Sequence, residues 1–89
     1  NYMGQASRIV GPTNWNALND NQRAALTDEI YNRGGGGLTM NSPYGSISGA
    51  LRSGHPNNVP LILQYQGQHE AAPLARRRDA EADLWRRRP

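Results

Sequence analysis

NDNQRAALTDEIYNRGGGG, residues 19–37, is the stretch that decides the fold of this chain. Asn19 or Asp20 can cap the first free backbone amides of a helix, and Gln22 stands where the second partner of a capping box belongs. No Gly or Pro interrupts the segment from there to Arg33, and most of its residues are acceptable helix formers. The pattern predicts a buried central helix that ends at Arg33.

Four glycines, residues 34–37, follow this helix. Gly34 is suited to the left-handed conformation that ends helices. A flexible linker is the alternative interpretation, but a linker rarely follows a helix with such clear start and stop signals. A phosphate-binding loop is disfavoured because such loops precede a helix and carry a lysine, and this chain has no lysine.

The composition indicates one small domain, or part of one, with 89 residues and 36% hydrophobic residues. The absence of cysteine excludes disulfides and thiolate metal sites. No apolar run approaches the roughly 20 residues needed to cross a membrane, so we expect no membrane span. The chain begins with Asn1 rather than Met, which indicates a processed product or a fragment.

Ten arginines oppose seven acidic residues, and six of the arginines lie in two triplets, residues 76–78 and 86–88. One interpretation of the net charge of +3 is attraction to an anionic polymer, such as nucleic acid, lipid headgroups or a bacterial cell wall. The other is a solvated helix face, because Asp79, Glu81 and Asp83 are interleaved with the arginines. The interleaved acids favour the solvated face.

Three further helices are predicted after the glycines, and no alternating strand pattern is present. Their start signals are Ser42 with Pro43, Asn57 or Asn58, and Pro73, and their ends fall near Gly54, Gln66 and Arg87. One face of the last helix carries Leu74, Ala75, Arg78, Ala82 and Trp85. The sequence therefore predicts an all-α fold of about four helices, with an irregular N-terminal segment (residues 1–14) and a helical domain (residues 15–89).

Few side chains are placed for catalysis. A glycosidase needs two carboxyl groups that flank its substrate, one of them with a raised pKa, and the local sequence singles out no such pair among Asp28, Glu29 and Glu70. His55 and His69 lack the spacing of metal ligands. We therefore expect no metal site and no cofactor.

Asn32 ends the central helix beside the glycine turn, a position better suited to binding than to catalysis. Tyr65 lies between two glutamines and resembles an aromatic side chain that stacks on a sugar and is flanked by amides. Ordinary packing or surface exposure is the alternative for each, and without further context it is the favoured one.

Two segments of the sequence favour a binding role for these residues over ordinary packing or exposure. NDNQRAAL followed by EIYNRGGG is similar to the central C-lobe helix of phage-type lysozymes (glycoside hydrolase family 24), which ends in an aromatic residue, Asn or Gln, a variable residue and Gly. PLARRRDAEADLW resembles the C-terminal helix of that family. The matched positions are Tyr31, Asn32 and Gly34 in the first segment, and Leu74, Arg77, Arg78, Ala80, Glu81 and Leu84 in the second. The resemblance covers about residues 15–86.

The resemblance implies a muramidase, which hydrolyses the β-1,4 bond between N-acetylmuramic acid and N-acetylglucosamine in bacterial peptidoglycan. The catalytic Glu of the family, with an Asp and a Thr, belongs to an N-terminal lobe upstream of both segments. No residue of this chain corresponds to these three, so no catalytic residue is assigned. The chain resembles the C-terminal lobe alone, which we expect to be inactive by itself.

The family's C-lobe forms one wall of the substrate cleft, which implies a binding role for four residues. Asn32 would hydrogen-bond a sugar, Tyr65 would lie near the same cleft, and Arg76 or Arg77 would meet a carboxylate of the glycan or its peptide stem. The implied partners are peptidoglycan and an N-terminal lysozyme lobe or another chain. We expect that partner to cover a face bearing Trp15 and Trp85.

The implied place of action is the bacterial cell wall, reached from the periplasm, by a virion-associated enzyme or by a secreted one. The resemblance implies a phage endolysin, a virion-associated lysozyme, a bacteriocin or a secreted antibacterial effector. A non-catalytic cell-wall or partner-binding helical module is the alternative function. A basic module for nucleic acid is a third hypothesis, which the interleaved acids disfavour.

Overall fold

The fold is all-α, as predicted. The computed structural model describes residues 1–88. Pro89, the last residue of the predicted helical domain, is not among the described residues. The described residues form seven helices: α1 (Tyr2–Val10), α2 (Pro12–Ala17), α3 (Asp20–Arg33), α4 (Gly36–Thr39), α5 (Ile47–Arg52), α6 (Asn58–Gln68) and α7 (Ala72–Arg86). None of these helices is long and apolar enough to cross a membrane.

The central helix α3 has the predicted ends. The Asn19 side chain accepts a hydrogen bond from the Gln22 backbone amide at 2.8 Å, and the Gln22 side chain accepts one from the Asn19 amide at 3.0 Å. This reciprocal pair is a complete capping box. At the other end Gly34 has a φ of +74°, and its amide donates to the Ile30 carbonyl at 2.7 Å.

The capping box predicts a measurable loss of stability on substitution. Asn19→Ala removes the side-chain acceptor, and we expect it to lower the free energy of unfolding by about 1 kcal/mol. Urea denaturation followed by circular dichroism measures this difference. Asn41→Ala is the matched control, because Asn41 is exposed and lies in the loop after α4. An equal loss in both variants would contradict the role of the cap.

The core lies where α7 packs against α6 and α3, and where α1 packs against α3. Its buried apolar side chains come from every helix. Trp15 and Trp85 are only 8% and 4% exposed. The expectation that a partner covers a face bearing these two tryptophans was therefore wrong, because both are buried in the core of this chain.

The N-terminal segment is not irregular, contrary to our prediction for residues 1–14. The Asn1 side chain accepts a hydrogen bond from the Gly4 amide at 2.6 Å and caps α1. Ala6 and Val10, one turn apart on α1, are fully buried in the core. The Asn1 cap and the spacing of Ala6 and Val10 are local signals for this helix, which the prediction did not use.

The second predicted helix starts later than expected, at Ile47 rather than at Ser42. The Ser42 hydroxyl accepts from the Tyr44 amide at 3.0 Å and donates to the Gly45 carbonyl at 2.7 Å, which closes a turn. Gly45 has a φ of +90° and so interrupts any helix here. Ser46 supplies the cap instead, by accepting from the Gly49 amide at 2.9 Å.

Candidate functional site

A groove of about 550 Å³ runs between α3 and α7. We call it the Arg77 groove, and its lining residues are Asp28, Pro73, Arg76, Arg77, Ala80, Glu81 and Leu84. Its volume falls within the range of about 300–1,000 Å³ that is typical of ligand sites in proteins. It combines two guanidinium groups, two carboxyl groups and an apolar wall.

Arg77 joins the two helices across this groove. Its Nη1 donates to the Asn32 side-chain oxygen at 2.9 Å and lies 3.5 Å from the Asp28 carboxylate. The Asn32 amide nitrogen in turn donates to the Asp28 backbone carbonyl at 2.7 Å. Both polar atoms of the Asn32 side chain therefore have a hydrogen-bond partner within the protein, and the side chain orients Arg77.

The four residues implied by the resemblance do not all meet. Arg76 and Arg77 line the Arg77 groove, and Asn32 reaches it through Arg77. Tyr65 is not among the lining residues. Its ring packs on the His69 imidazole with 4.7 Å between ring centroids.

Behind the groove lies a buried charge cluster formed by Glu29, Arg33, Glu70, Arg78 and Glu81. The Arg78 side chain is fully buried, and its Nη1 donates to the carboxylates of both Glu29 and Glu81. Arg78 Nε lies 3.1 Å from the Glu70 carboxylate, and Arg33 Nε lies 3.4 Å from it. Arg78 is therefore removed from the surface, although it belongs to one of the arginine triplets.

Burial changes the protonation of two carboxyls in this cluster. It raises the pKa of Glu29 to about 7 and outweighs the opposing attraction of Arg78 and Arg33. Burial also raises the pKa of Glu81 to about 9, together with a hydrogen bond to Asp28 and the charge of Glu29. Glu81 is consequently a neutral acid at pH 7.

The sequence named Asp28, Glu29, Glu70 and Glu81 as single residues, but it did not predict that they lie together. Asp28 and Glu81 come from helices that are far apart in the chain, so no local spacing marks them as a pair. One signal was present in Arg78, which shares a helix face with Ala82 and Trp85. A guanidinium on a buried face requires carboxylate partners, but the sequence does not say which ones.

A second groove, of about 580 Å³, lies between α1 and α3, and Asp28 lines both grooves. We call it the Tyr31 groove. The rings of Tyr2 and Tyr31 meet edge to face there, with 5.5 Å between centroids. Tyr31 is 63% exposed, and Met3 beside it is also exposed. Within residues 1–88, Tyr2, Met3 and Tyr31 thus form an apolar surface that is exposed to solvent.

No family model, curated protein or solved structure matches this chain.

Proposed function

We propose that this chain is the substrate-cleft lobe of a peptidoglycan-degrading lysozyme, with the catalytic Glu carried by a separate N-terminal lobe. One observation carries the proposal. The two segments that resemble the lysozyme family form α3 and α7, which pack against each other beside the Arg77 groove. The hydrogen bond from Arg77 to Asn32 joins them over 45 positions of the chain.

The groove has the chemistry to hold a glycan that carries carboxylates. Arg76 and Arg77 supply guanidinium donors, which form strong charge-assisted hydrogen bonds with carboxylates. Pro73, Ala80 and Leu84 supply apolar surface for the less polar face of a sugar ring. Asn32 orients Arg77, so its role is positioning. Because Tyr65 does not line the groove, we assign it no contact with the glycan.

The Tyr31 groove suits the partner that the proposal requires. Exposed apolar patches of this kind often mark surfaces where another protein packs. An N-terminal lysozyme lobe or another chain that covered Tyr2, Met3 and Tyr31 would lie next to the Arg77 groove, because Asp28 lines both. The chain by itself would bind glycan and would not hydrolyse it.

A binding titration tests the glycan site. Arg77→Ala is expected to weaken binding of a soluble muropeptide, a disaccharide with its peptide stem, by roughly tenfold or more, because a hydrogen bond to a charged group contributes about 1.5–3 kcal/mol. Isothermal titration calorimetry measures the affinity. Arg88→Ala is the control, because this exposed arginine does not line the groove.

The possible outcomes separate the hypotheses. An equal loss in both variants would indicate general attraction to anions, and no binding by the unaltered chain would remove the glycan proposal. Intact-mass analysis of co-purifying chains, with a muramidase assay on the same sample, tests for the catalytic lobe. A lone inert chain that still binds peptidoglycan would support the alternative, a non-catalytic cell-wall module.

A further inference from the structure

The second arginine triplet, residues 86–88, lies at a groove that the proposed function does not use. This groove, of about 420 Å³, lies where the end of α7 meets the starts of α3 and α6. We call it the Arg88 groove, and its lining residues are Asn19, Gln22, Asn57, Pro60, Trp85, Arg86, Arg87 and Arg88. The Asn21 side chain donates to the Arg87 backbone carbonyl at 3.1 Å. This hydrogen bond holds the end of α7, with its arginines, against α3.

The positive charge of the Arg88 groove is not neutralised by carboxylates within residues 1–88. No Asp or Glu lines the groove, and its three arginines form no ion pair. The acids interleaved with the arginines in the sequence lie elsewhere. Glu81 is buried against Arg78, and Asp83 is exposed but does not line the groove. Three guanidiniums therefore remain available to an anion.

The other polar side chains of this groove add hydrogen-bond donors. In the capping box of α3, the side-chain oxygens of Asn19 and Gln22 accept the backbone amides. Their NH2 groups remain as donors. Each guanidinium contributes further N–H donors and no acceptor, and its planar fork matches the oxygens of a phosphate. Because three guanidiniums line one groove, a polymer with successive phosphates fits it better than a single small anion.

The groove lacks the aromatic surface that nucleic acid requires. Proteins that bind single-stranded nucleic acid stack the bases on aromatic side chains. Trp85 is the only aromatic residue that lines the groove within residues 1–88, and it is 4% exposed. The amide groups of Asn19 and Gln22 can instead donate to hydroxyl oxygens. This chemistry favours phosphates joined by a polyol, such as glycerol, over phosphates joined by nucleosides.

We propose that the Arg88 groove binds a polyol phosphate polymer of the bacterial cell wall. The guanidiniums contact successive phosphates, and the amide groups contact the hydroxyls between them. The cell-wall source of the polymer rests on the proposed function, whereas the anion site rests on the groove alone. The Arg88 groove shares no lining residue with the Arg77 groove. A phosphate polymer and a glycan can therefore be bound at the same time.

Fluorescence anisotropy with labelled poly(glycerol phosphate) tests this site. Arg87→Gln/Arg88→Gln removes two guanidiniums that follow the last residue of α7, so the helix itself is unchanged. We expect it to weaken binding by about tenfold or more, because hydrogen bonds between charged groups are the strong ones. Thermal unfolding checks that the variant is folded.

Arg8→Gln/Arg52→Gln is the matched control, because it removes the same charge from exposed arginines outside the groove. At about 0.15 M salt the Debye length is about 8 Å, so we expect this control to change the affinity by less than about threefold. An equal loss in both double variants would show attraction by net charge alone and would overturn the site. Absence of polymer binding by the unaltered chain would overturn it as well.

Nucleic acid and muropeptide serve as comparison ligands. Tighter binding of oligothymidylate or duplex DNA of equal charge, lost in Arg87→Gln/Arg88→Gln, would assign the groove to nucleic acid and overturn the polyol phosphate. Polymer binding that is lost in this variant, without any binding of muropeptide, would support the anion site and remove the glycan function. Binding of muropeptide without binding of the polymer would overturn the present inference and leave the glycan function standing.

Discussion

Arg78→Ala is expected to lower the free energy of unfolding by about 3–5 kcal/mol, because removal of one partner from a buried ion pair leaves the other charges uncompensated. Arg78 is the only guanidinium that contacts Glu29, Glu70 and Glu81 together within residues 1–88. The loss is a large part of the roughly 5–15 kcal/mol that stabilises a typical protein. Urea denaturation followed by circular dichroism at pH 7 measures it.

Arg76→Ala is the matched control for this prediction. It lies on the same helix and is exposed, so we expect a change within about 0.5 kcal/mol. The cost of Arg78→Ala should also be smaller at pH 5 than at pH 8, since protonated carboxyls need no counter-charge. A cost below that of Arg76→Ala, at either pH, would show that the cluster does not depend on Arg78.

The second large effect is a loss of stability as the pH rises. Glu29 and Glu81 bind protons more tightly in the folded chain than at their ordinary pKa of 4.5. Their contribution to stability is therefore complete below pH 4.5, and it is lost as the pH rises through about 7 for Glu29 and about 9 for Glu81. For Glu29 alone the raised pKa corresponds to about 3 kcal/mol.

Urea denaturation between pH 5 and pH 9.5 tests this pH dependence. The unaltered chain should be most stable at the acidic end of this interval. Glu81→Gln should remove the decline between about pH 7 and pH 9 and lessen the slope below pH 7, whereas Glu29→Gln should lessen the slope only below about pH 7. Asp79→Asn, an exposed change on α7, should leave the curve as it is. A stability that is level or rises toward pH 9.5 would contradict the raised pKa values.

The sequence predicted correctly those helices whose ends are fixed by residues a few positions away in the chain. The capping box of Asn19 and Gln22 and the positive φ of Gly34 placed both ends of α3 correctly. The start of α5 was misplaced because Ser42 can either cap a helix or close a turn, and the neighbouring Gly45 favours the turn. Helix α1 was missed, although Asn1 supplies a local cap and Ala6 and Val10 share one buried face.

For the candidate site, the sequence identified individual residues but not the contacts between them. Arg77 and Asn32 were both singled out from sequence, but their hydrogen bond joins residues 45 positions apart. The ion pair of Glu29 with Arg78 also depends on the contact between α3 and α7. No periodicity within one helix reports such a contact.

Sequence alone established the all-α class and the boundaries of the long helices, because caps and glycine turns act over three or four residues. Only the tertiary structure decided which carboxyls have a raised pKa and which groups surround the groove. The physical reason is that the pKa of a carboxyl depends on its burial and on charges brought near it by distant parts of the chain. Glu81 would titrate as an ordinary glutamate on an isolated helix, and it becomes a neutral acid only when α7 packs against α3.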